Sequence, residues 1–317
     1  MTREQLSAII RFSNLDRVQI SKILDTHIYP QHASWRRFLK IALLTLGVGF
    51  LVSGIVFFFA YNWDTLPNQA KLIITQSLVA VTCLPYFIPR IDALIKNISL
   101  TASAILVGGM LAVFGQIYQT EAMAFDLMLS WTMAVTLWVV AARFAPLTLL
   151  WLILFQATAM LYYEQVLHQY EDLYALFTLS AINIAALVLA KPVAQWMGSP
   201  TAPKWFRGVV SVSAAYFILV GIVFMLEDKG HPLFFLHSVL TAAFLFYMTR
   251  SGIAKKDIAS LVIAALTTII AISIIVMLEI NNDEPGLIFI TVFILSTAVF
   301  SARALTQLKK KWDDQAQ

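Results

Sequence analysis

The sequence predicts an all-α fold: a polytopic transmembrane helix bundle of about ten spans, with both termini cytoplasmic. Three observations predict it. Hydrophobic residues make up 60% of the 317 residues and charged residues only 13%, long apolar segments recur, and basic residues cluster between alternate segments. Charged residues form about a quarter of an ordinary soluble domain, so this chain lacks the polar surface of a water-soluble globule. Disorder is excluded because it requires low hydrophobicity and high charge.

The N-terminal residues 1–38 are predicted to form a short cytoplasmic segment of two amphipathic helices. Thr2 and Ser13 are N-cap candidates, each standing before an apolar group with the i, i+3, i+4 spacing of one helical face. Docking onto the protein's own inner face explains such a segment, and a partner site or a membrane-surface helix are the alternatives. The two apolar groups are Leu6, Ile9, Ile10 and Ile20, Ile23, Leu24.

Ten segments are long and apolar enough to cross the hydrocarbon core, which takes about 20 residues of helix. Only a helix satisfies all its backbone groups within one such segment. Arg143 and Phe144 alone separate the fourth and fifth segments, and Pro146 predicts that a new helix begins there. The predicted spans are approximately Leu39–Ala60, Ala70–Ile88, Ile98–Gln119, Leu127–Ala142, Ala145–Tyr163, Leu173–Ala190, Gly208–Leu226, Pro232–Met248, Ile258–Leu278 and Gly286–Leu305.

The basic residues predict the orientation of these spans. If the N-terminus is cytoplasmic and each span crosses once, 20 of the 22 Lys and Arg residues fall on the inner side. Cytoplasmic loops carry such an excess of Lys and Arg, so both termini are predicted to lie inside. Only Lys71 and Lys229 fall outside. The predicted parts are the cytoplasmic segment 1–38, the bundle 39–305 with an inner linker at 191–207, and the basic cytoplasmic tail 306–317.

Acidic residues are biased towards the opposite side. In the same topology, 11 of the 18 Asp and Glu residues fall outside. Acidic residues contribute little to insertion, so topology alone does not explain this bias. Either the outer loops need polar residues where lysine is excluded, or the outer surface attracts cations.

The chain carries no recognisable catalytic or cofactor motif, and we predict no cofactor and no metal site. Cys83 is the single cysteine and the five histidines are scattered, so neither type supplies a ligand cluster. The excess of basic residues follows the membrane sides, so no nucleic-acid partner is predicted. No charged residue is clearly central in a predicted span, which disfavours an ion-driven transporter. The spans carry neutral polar residues that are either interhelical hydrogen bonders or pathway residues, namely Gln76, Gln116, Gln156, Asn183 and His237.

A candidate binding site lies at the predicted outer ends of the first and third spans. The first span ends in Asn62, Trp63 and Asp64, and the third ends with Gln116 and Tyr118. Amide, carboxylate, indole and phenol groups could meet there in a polar site at the depth of the lipid headgroups. An aromatic belt with helix-end capping explains the same residues without a site.

These motifs also carry a family resemblance. The pattern Phe-Phe-Ala-x-Asn62-Trp63-Asp64 follows a glycine-rich first span and precedes Gly115-Gln116-Ile117-Tyr118. Together with the polar N-terminal segment, the pattern resembles the bacterial predicted membrane proteins grouped as domain of unknown function 2157. The resemblance covers the first half of the chain and implies a multi-pass location in the bacterial inner (plasma) membrane. It implies no activity and no catalytic residues.

Three functions fit these observations. The first is a non-enzymatic envelope component that binds membrane lipid or another membrane protein, which needs no catalytic residues. The second is a carrier or permease for a small neutral or polar solute, which a five-plus-five division of the spans would suit. The third is an interfacial enzyme acting on a lipid-linked substrate, with Asp64 or Glu121 beside Gln116.

The first prediction concerns topology. A fluorescent reporter fused after Gln317 should be active, because the positive-inside distribution places the C-terminus in the cytoplasm. A phosphatase that works only in the periplasm should be silent at the same position and active when fused within Gln165–Asp172. The opposite pair of signals would refute the ten-span topology.

The second prediction concerns the outer site. With Trp63→Cys and Tyr118→Cys in a Cys83→Ser background, a short periplasm-accessible reagent should cross-link positions 63 and 118. Folded protein that does not cross-link would mean that the two motifs are separate helix ends.

Overall fold

The computed structural model describes residues 63–315 except 120, 168–171, 228–229 and 280–283. Of the preceding residues it describes positions 35, 36, 39, 43, 46, 47, 50, 54, 57 and 61, all helical. The chain divides into two compact units, Met1–Lys71 and Leu72–Gln317. The predicted amphipathic helices and most of the predicted first span therefore lie outside the described residues.

The described part of the chain is all-α, as the sequence predicts, and contains no strand. A short 3-10 turn at Trp63–Thr65 precedes the helices, and a π-helical turn at Tyr162–Leu167 extends α4. The helices are α1 (Asn68–Phe87), α2 (Ala93–Tyr118), α3 (Ala124–Ala142), α4 (Ala145–Leu161), α5 (Asp172–Trp196), α6 (Lys204–Glu227), α7 (Phe234–Ala254), α8 (Ile258–Glu279) and α9 (Glu284–Asp314).

Eight helices of the described residues are long and apolar enough to cross a membrane. All of them coincide with predicted spans. The predicted span Pro232–Met248 also forms a helix, α7, but this helix is not among the eight. His237 and Arg250 lower its hydropathy. The helical membrane bundle is thus confirmed, while the total number of spans and the position of the termini stay predictions.

Helices α3 and α4 run antiparallel, and so do α6 and α7, as paired positions show. In α3 and α4, Thr132 pairs with Thr158 through hydroxyls 2.9 Å apart. One turn further along α3, the Trp151 indole on α4 donates to Thr136 over 2.8 Å. In α6 and α7, His237 Nε2 lies 3.2 Å from the Ile218 carbonyl, and the Ser211 hydroxyl donates to the Met248 sulfur over 3.5 Å.

This order gathers charges of opposite sign at the two ends of the helices. We call the end that holds Arg143, Lys191, Arg207 and Lys255 the basic face. The opposite end, which holds Glu121, Asp126, Glu164 and Asp172, is the acidic face. The sequence predicts that the basic face is cytoplasmic.

Helices α4 to α8 together form the largest buried core of the described residues. Helix α6 is central, since it contacts α4, α5, α7 and α8. Ala214 and Ile218 of α6 and Phe244 of α7 are completely buried. Such small and branched side chains allow close helix packing where lipid supplies no hydrophobic driving force.

Helices α2 and α3 pack closely where Gly108 faces an aromatic ring. A Cβ atom added to Gly108 of α2 would overlap the Trp131 side chain of α3. The Trp131 indole N–H also donates to the Ala104 carbonyl over 2.8 Å. This indole therefore joins α2 and α3.

The break between α3 and α4 is confirmed. Arg143 ends α3 in a left-handed conformation (φ 48°), and its N–H donates to the Val139 carbonyl. Pro146 lies in the first turn of α4, where a missing N–H costs no hydrogen bond. The two spans are therefore separate helices joined by two residues.

The inner linker is shorter than the sequence suggested. Helix α5 continues through Pro192 to Trp196, so only residues 197–203 lie outside helices in place of the predicted 191–207. Pro192 removes a single backbone hydrogen bond near the helix end. The helix continues because the other backbone N–H and C=O groups still need hydrogen-bond partners. After the helix ends at Trp196, Gly198 is left-handed (φ 86°), and the Ser199 N–H donates to the Ala194 carbonyl over 2.9 Å.

The last predicted span and the basic tail form one helix. Helix α9 runs from Glu284 to Asp314, so residues 306–314 of the predicted tail continue the helix of the span. Lys311 lies in its last turn, where a cation interacts favourably with the helix dipole.

Candidate functional site

The residues of the predicted outer site belong to both units of the chain: Asn62, Trp63 and Asp64 to the first, and Gln116 and Tyr118 to the second. Asn62 lies outside the described residues. Trp63 and Asp64 form the 3-10 turn that precedes α1. The Lys71 ammonium lies 5.2 Å from the Trp63 ring centroid, a cation–π contact. Asp64 is exposed.

Gln116 and Tyr118 belong to the last turn of α2. Both are exposed, and the Tyr118 and Phe114 rings lie 4.5 Å apart between centroids. Helix α2 ends at Gln119, which is left-handed (φ 45°) and donates its N–H to the Gly115 carbonyl. The Gly-Gln-Ile-Tyr motif therefore forms a helix end with exposed polar and aromatic groups. The grouping of these two residues with Trp63 and Asp64 stays a prediction.

A cleft of about 940 Å³ adjoins this helix end, between the end of α2 and the start of α3. We call it the acidic-face cleft. Asp126 is its charged lining residue, and its Oδ2 accepts the Met123 N–H over 2.9 Å at the start of α3. Apart from Asp126, its walls are Leu111, Ala112, Phe114, Gly115, Ala122, Met123, Ala124, Leu127 and Ser130.

The cleft is braced by the end of α4. Gln165 accepts the Phe125 N–H through its Oε1 over 3.0 Å. The Phe125 and Tyr162 rings pack with centroids 5.4 Å apart. These contacts hold the first turn of α3 against the π-helical turn, so the cleft has a supported wall.

The electrostatics of this end are negative. Glu121, Asp126, Glu164 and Asp172 are all exposed. No Lys or Arg occurs between Lys96 and Arg143 or between Arg143 and Lys191. The chain segments that form the cleft therefore carry Asp and Glu but no Lys or Arg, and a surface of this composition attracts positive groups.

Sequence reasoning found Asp126 only as one of many outer acidic residues and did not assign it to the site. The signal was present, since an aspartate three residues after an N-cap position is a helix-start pattern. It gave no indication that the short α2–α3 connection would enclose a cleft beside Gly115.

A second polar cluster lies halfway along α4, α5 and α6. The Asn183 amide donates to Gln156 Oε1 over 2.8 Å and to the Leu179 carbonyl over 2.8 Å. The Ser213 hydroxyl of α6 lies 3.4 Å from the same Gln156 oxygen. We call these residues the amide cluster. It joins three helices by hydrogen bonds, which supports the interpretation of Asn183 and Gln156 as interhelical bonders.

A cleft reaches the amide cluster. Gln156 and Ser213 line an opening of about 730 Å³ between α4, α5 and α6. Two completely buried atoms nearby in sequence, Asn183 Oδ1 and Ser180 Oγ, have no hydrogen-bond partner among the described residues. Buried polar atoms normally have partners, so these two leave unused hydrogen-bonding capacity at the centre of the bundle.

His237 is completely buried one helix away. Its Nε2 bonds the Ile218 carbonyl, while Nδ1 has no partner in the described part of the chain. A Cβ atom at Gly221 would overlap the imidazole. Glycine at position 221 thus provides the space that the ring occupies. The interpretation of His237 as an interhelical hydrogen bonder therefore holds for one ring nitrogen only.

The basic face has its own charge cluster. Arg207 at the start of α6 pairs with Asp257 over 3.5 Å, and Asp257 also accepts the Ser260 hydroxyl. Partial burial, with Arg207 and Lys191 nearby, lowers the pKa of Lys255, although Asp257 acts in the opposite direction. Positive charge therefore exceeds negative charge in this cluster.

Metal ligands do not converge at any of these places. Among the residues that the structure describes, no group of three or more His, Cys, Asp or Glu residues could hold a metal ion.

The first part of the chain matches a known protein family. Residues 13–148 match the family model of a predicted membrane protein, domain of unknown function 2157. This match confirms the resemblance seen in the motifs. It includes α1 to α3 and the acidic-face cleft, whereas α5 to α9 lie beyond it. The comparisons with curated proteins and with solved structures found no match. With its apolar helices, the chain is a multi-pass integral membrane protein.

The third prediction concerns the amide cluster. Asn183→Leu and Gln156→Leu should each change the free energy of unfolding by about 1 kcal/mol or less, the scale of hydrogen bonds between membrane helices. Thermal unfolding in detergent measures this change, and Ala185→Leu on the exposed side of α5 is the matched control. Unchanged melting together with lost cellular function would identify a ligand pathway.

Proposed function

We propose that the protein is a non-enzymatic component of the bacterial inner (plasma) membrane that binds a partner membrane protein at its acidic face. The observation that carries this proposal is the cleft beside the Gly-Gln-Ile-Tyr motif, with its single lining carboxylate, Asp126. The partner group that suits it is a Lys or Arg side chain flanked by apolar residues, because complementary charge selects partners and orients them.

Negative charge and exposed aromatic rings together favour a protein over an anionic lipid as the ligand of this cleft. The four exposed carboxylates of the acidic face repel anionic headgroups. The exposed Phe114 and Tyr118 rings offer the kind of aromatic surface that is enriched in protein interfaces. Binding needs no catalytic residues, which fits a site with one carboxylate and no metal-ligand cluster among the described residues.

A carrier for a small polar solute is the second candidate. The cleft at the amide cluster supports it, because Gln156, Asn183 and Ser213 lie halfway along their helices. Transporters commonly place their substrate sites near the bilayer midplane. Stabilisation of the protein by a solute, lost in Gln156→Leu, would favour this function over partner binding.

The fourth prediction tests partner binding. A photoreactive phenylalanine analogue at Ala122, an exposed wall residue of the cleft, should form an adduct with one protein of defined mass in native membranes. Asp126→Asn together with Glu121→Gln should reduce adduct yield about tenfold, the effect of losing about 1.4 kcal/mol of binding energy. Asparagine also accepts hydrogen bonds at a helix start, so α3 should remain capped.

The matched control places the same probe at Leu137, which is exposed on α3 but remote from the cleft. Its adducts should be insensitive to the two charge changes. Protein adducts at Ala122 that persist without the carboxylates, or adducts with lipid alone, would refute the proposed partner.

A further inference from the structure

An apolar groove of about 610 Å³ lies at the basic face, where α5 ends and α4 and α6 begin. We call it the basic-face groove. Small side chains create it, because alanines occupy five of its wall positions. Thr148 is its one hydroxyl-bearing wall residue, and that hydroxyl is donated to the Phe144 carbonyl over 3.2 Å. The alanines are Ala145, Ala186, Ala190, Ala194 and Ala202.

The walls of the groove are held by contacts outside it. Trp151 stacks on Phe155 with centroids 5.3 Å apart, and its indole N–H bonds Thr136. Ala202 and Phe206 are buried where α6 begins. The groove is thus a supported apolar site without free hydrogen-bonding groups in its walls.

A guanidinium stands at the rim of this groove. Arg143 is two residues before the wall residue Ala145, and its guanidinium carbon lies 5.1 Å from the ring centroid of Trp196, which adjoins the wall residue Met197. Arg143 is exposed, and its guanidinium makes no hydrogen bond within the described part of the chain. Stacking on an indole fixes a guanidinium while leaving its N–H donors available.

The elements around the groove supply no negative charge. No Asp or Glu occurs between Asp126 and Glu164 or between Asp172 and Glu227. Lys204, which follows the wall residue Pro203, is exposed and adds a second cation near the rim. An apolar groove below an uncompensated positive rim therefore matches a ligand with an apolar chain and an anionic head.

We propose that the basic-face groove binds an anionic phospholipid, with an acyl chain along its alanine-lined wall and the headgroup phosphate at Arg143. A guanidinium binds phosphate oxygens in a bidentate geometry, which a neutral polar side chain does not offer. The site is separate from the acidic-face cleft and does not depend on the proposed partner protein. If the basic face is cytoplasmic, the lipid belongs to the inner leaflet.

The fifth prediction tests this site with the full chain in detergent. Phosphatidylglycerol should bind more tightly than phosphatidylcholine with the same acyl chains, measured by native mass spectrometry and by the melting temperature. Arg143→Gln should weaken phosphatidylglycerol binding about tenfold, the effect of removing a hydrogen bond to a charged group. Phosphatidylcholine binding should fall less, because the choline cation offsets the charge of its phosphate. Inorganic phosphate alone should have no effect, because it cannot use the apolar groove.

The apolar part of the site has a matched pair of variants. Ala186→Phe fills the groove and should abolish retention of both lipids, whereas Ala185→Phe adds the same ring to the exposed neighbouring position and should not. A photoreactive acyl chain on phosphatidylglycerol should label Val193 or Met197 in the unmodified protein. This last measurement requires no variant to fold.

Three outcomes would overturn the proposal. If phosphatidylglycerol and phosphatidylcholine bind equally well and Arg143→Gln changes neither affinity, Arg143 does not bind the headgroup. Retention that survives Ala186→Phe, or labelling elsewhere, would place the acyl chain outside the groove. Stabilisation by inorganic phosphate equal to that by phosphatidylglycerol would reduce the site to a surface anion contact.

Discussion

The hydrocarbon of a bilayer offers no hydrogen-bonding partner, and the structure of this chain depends on that constraint. Hydroxyl side chains within helices therefore donate to the carbonyl one turn earlier, as Thr158 does to Leu154 and Ser273 to Ile269. Side chains that reach further join neighbouring helices, as Asn183 does with Gln156. Buried polar atoms without a described partner occur on Ser180, Asn183 and His237 within their helices, and on Arg207 at the start of α6. Those within the helices are exceptional for this reason.

Sequence alone predicted the helical bundle well, because hydropathy and length are properties of single segments. Every predicted span from Ala70 onwards coincides with a helix. The break at Arg143 was also predictable from Pro146, since a proline acts on its own backbone. Helix ends were less predictable: α5 continues through Pro192 because one lost hydrogen bond does not outweigh those that the following turn makes.

The sites were harder to predict because they depend on pairs of helices. The sequence found Gln116 and Tyr118 as polar and aromatic residues at a helix end, and they lie at the end of α2. It could not find the cleft between α2 and α3, because its walls combine residues such as Ala112 and Ala122 from separate parts of the chain. Nor could it find the groove behind Arg143, since alanines in an apolar helix carry no sequence signal for a cavity.

The space beside His237 has a consequence for how this sequence can vary. The imidazole of His237 occupies the volume that a side chain at position 221 would fill. The sizes of the residues at positions 221 and 237 therefore depend on each other. A relative that replaces Gly221 by a larger residue must shrink or move the residue at 237, or separate α6 from α7. Covariation between these two positions, rather than conservation of either one alone, is the evolutionary trace that this packing should leave.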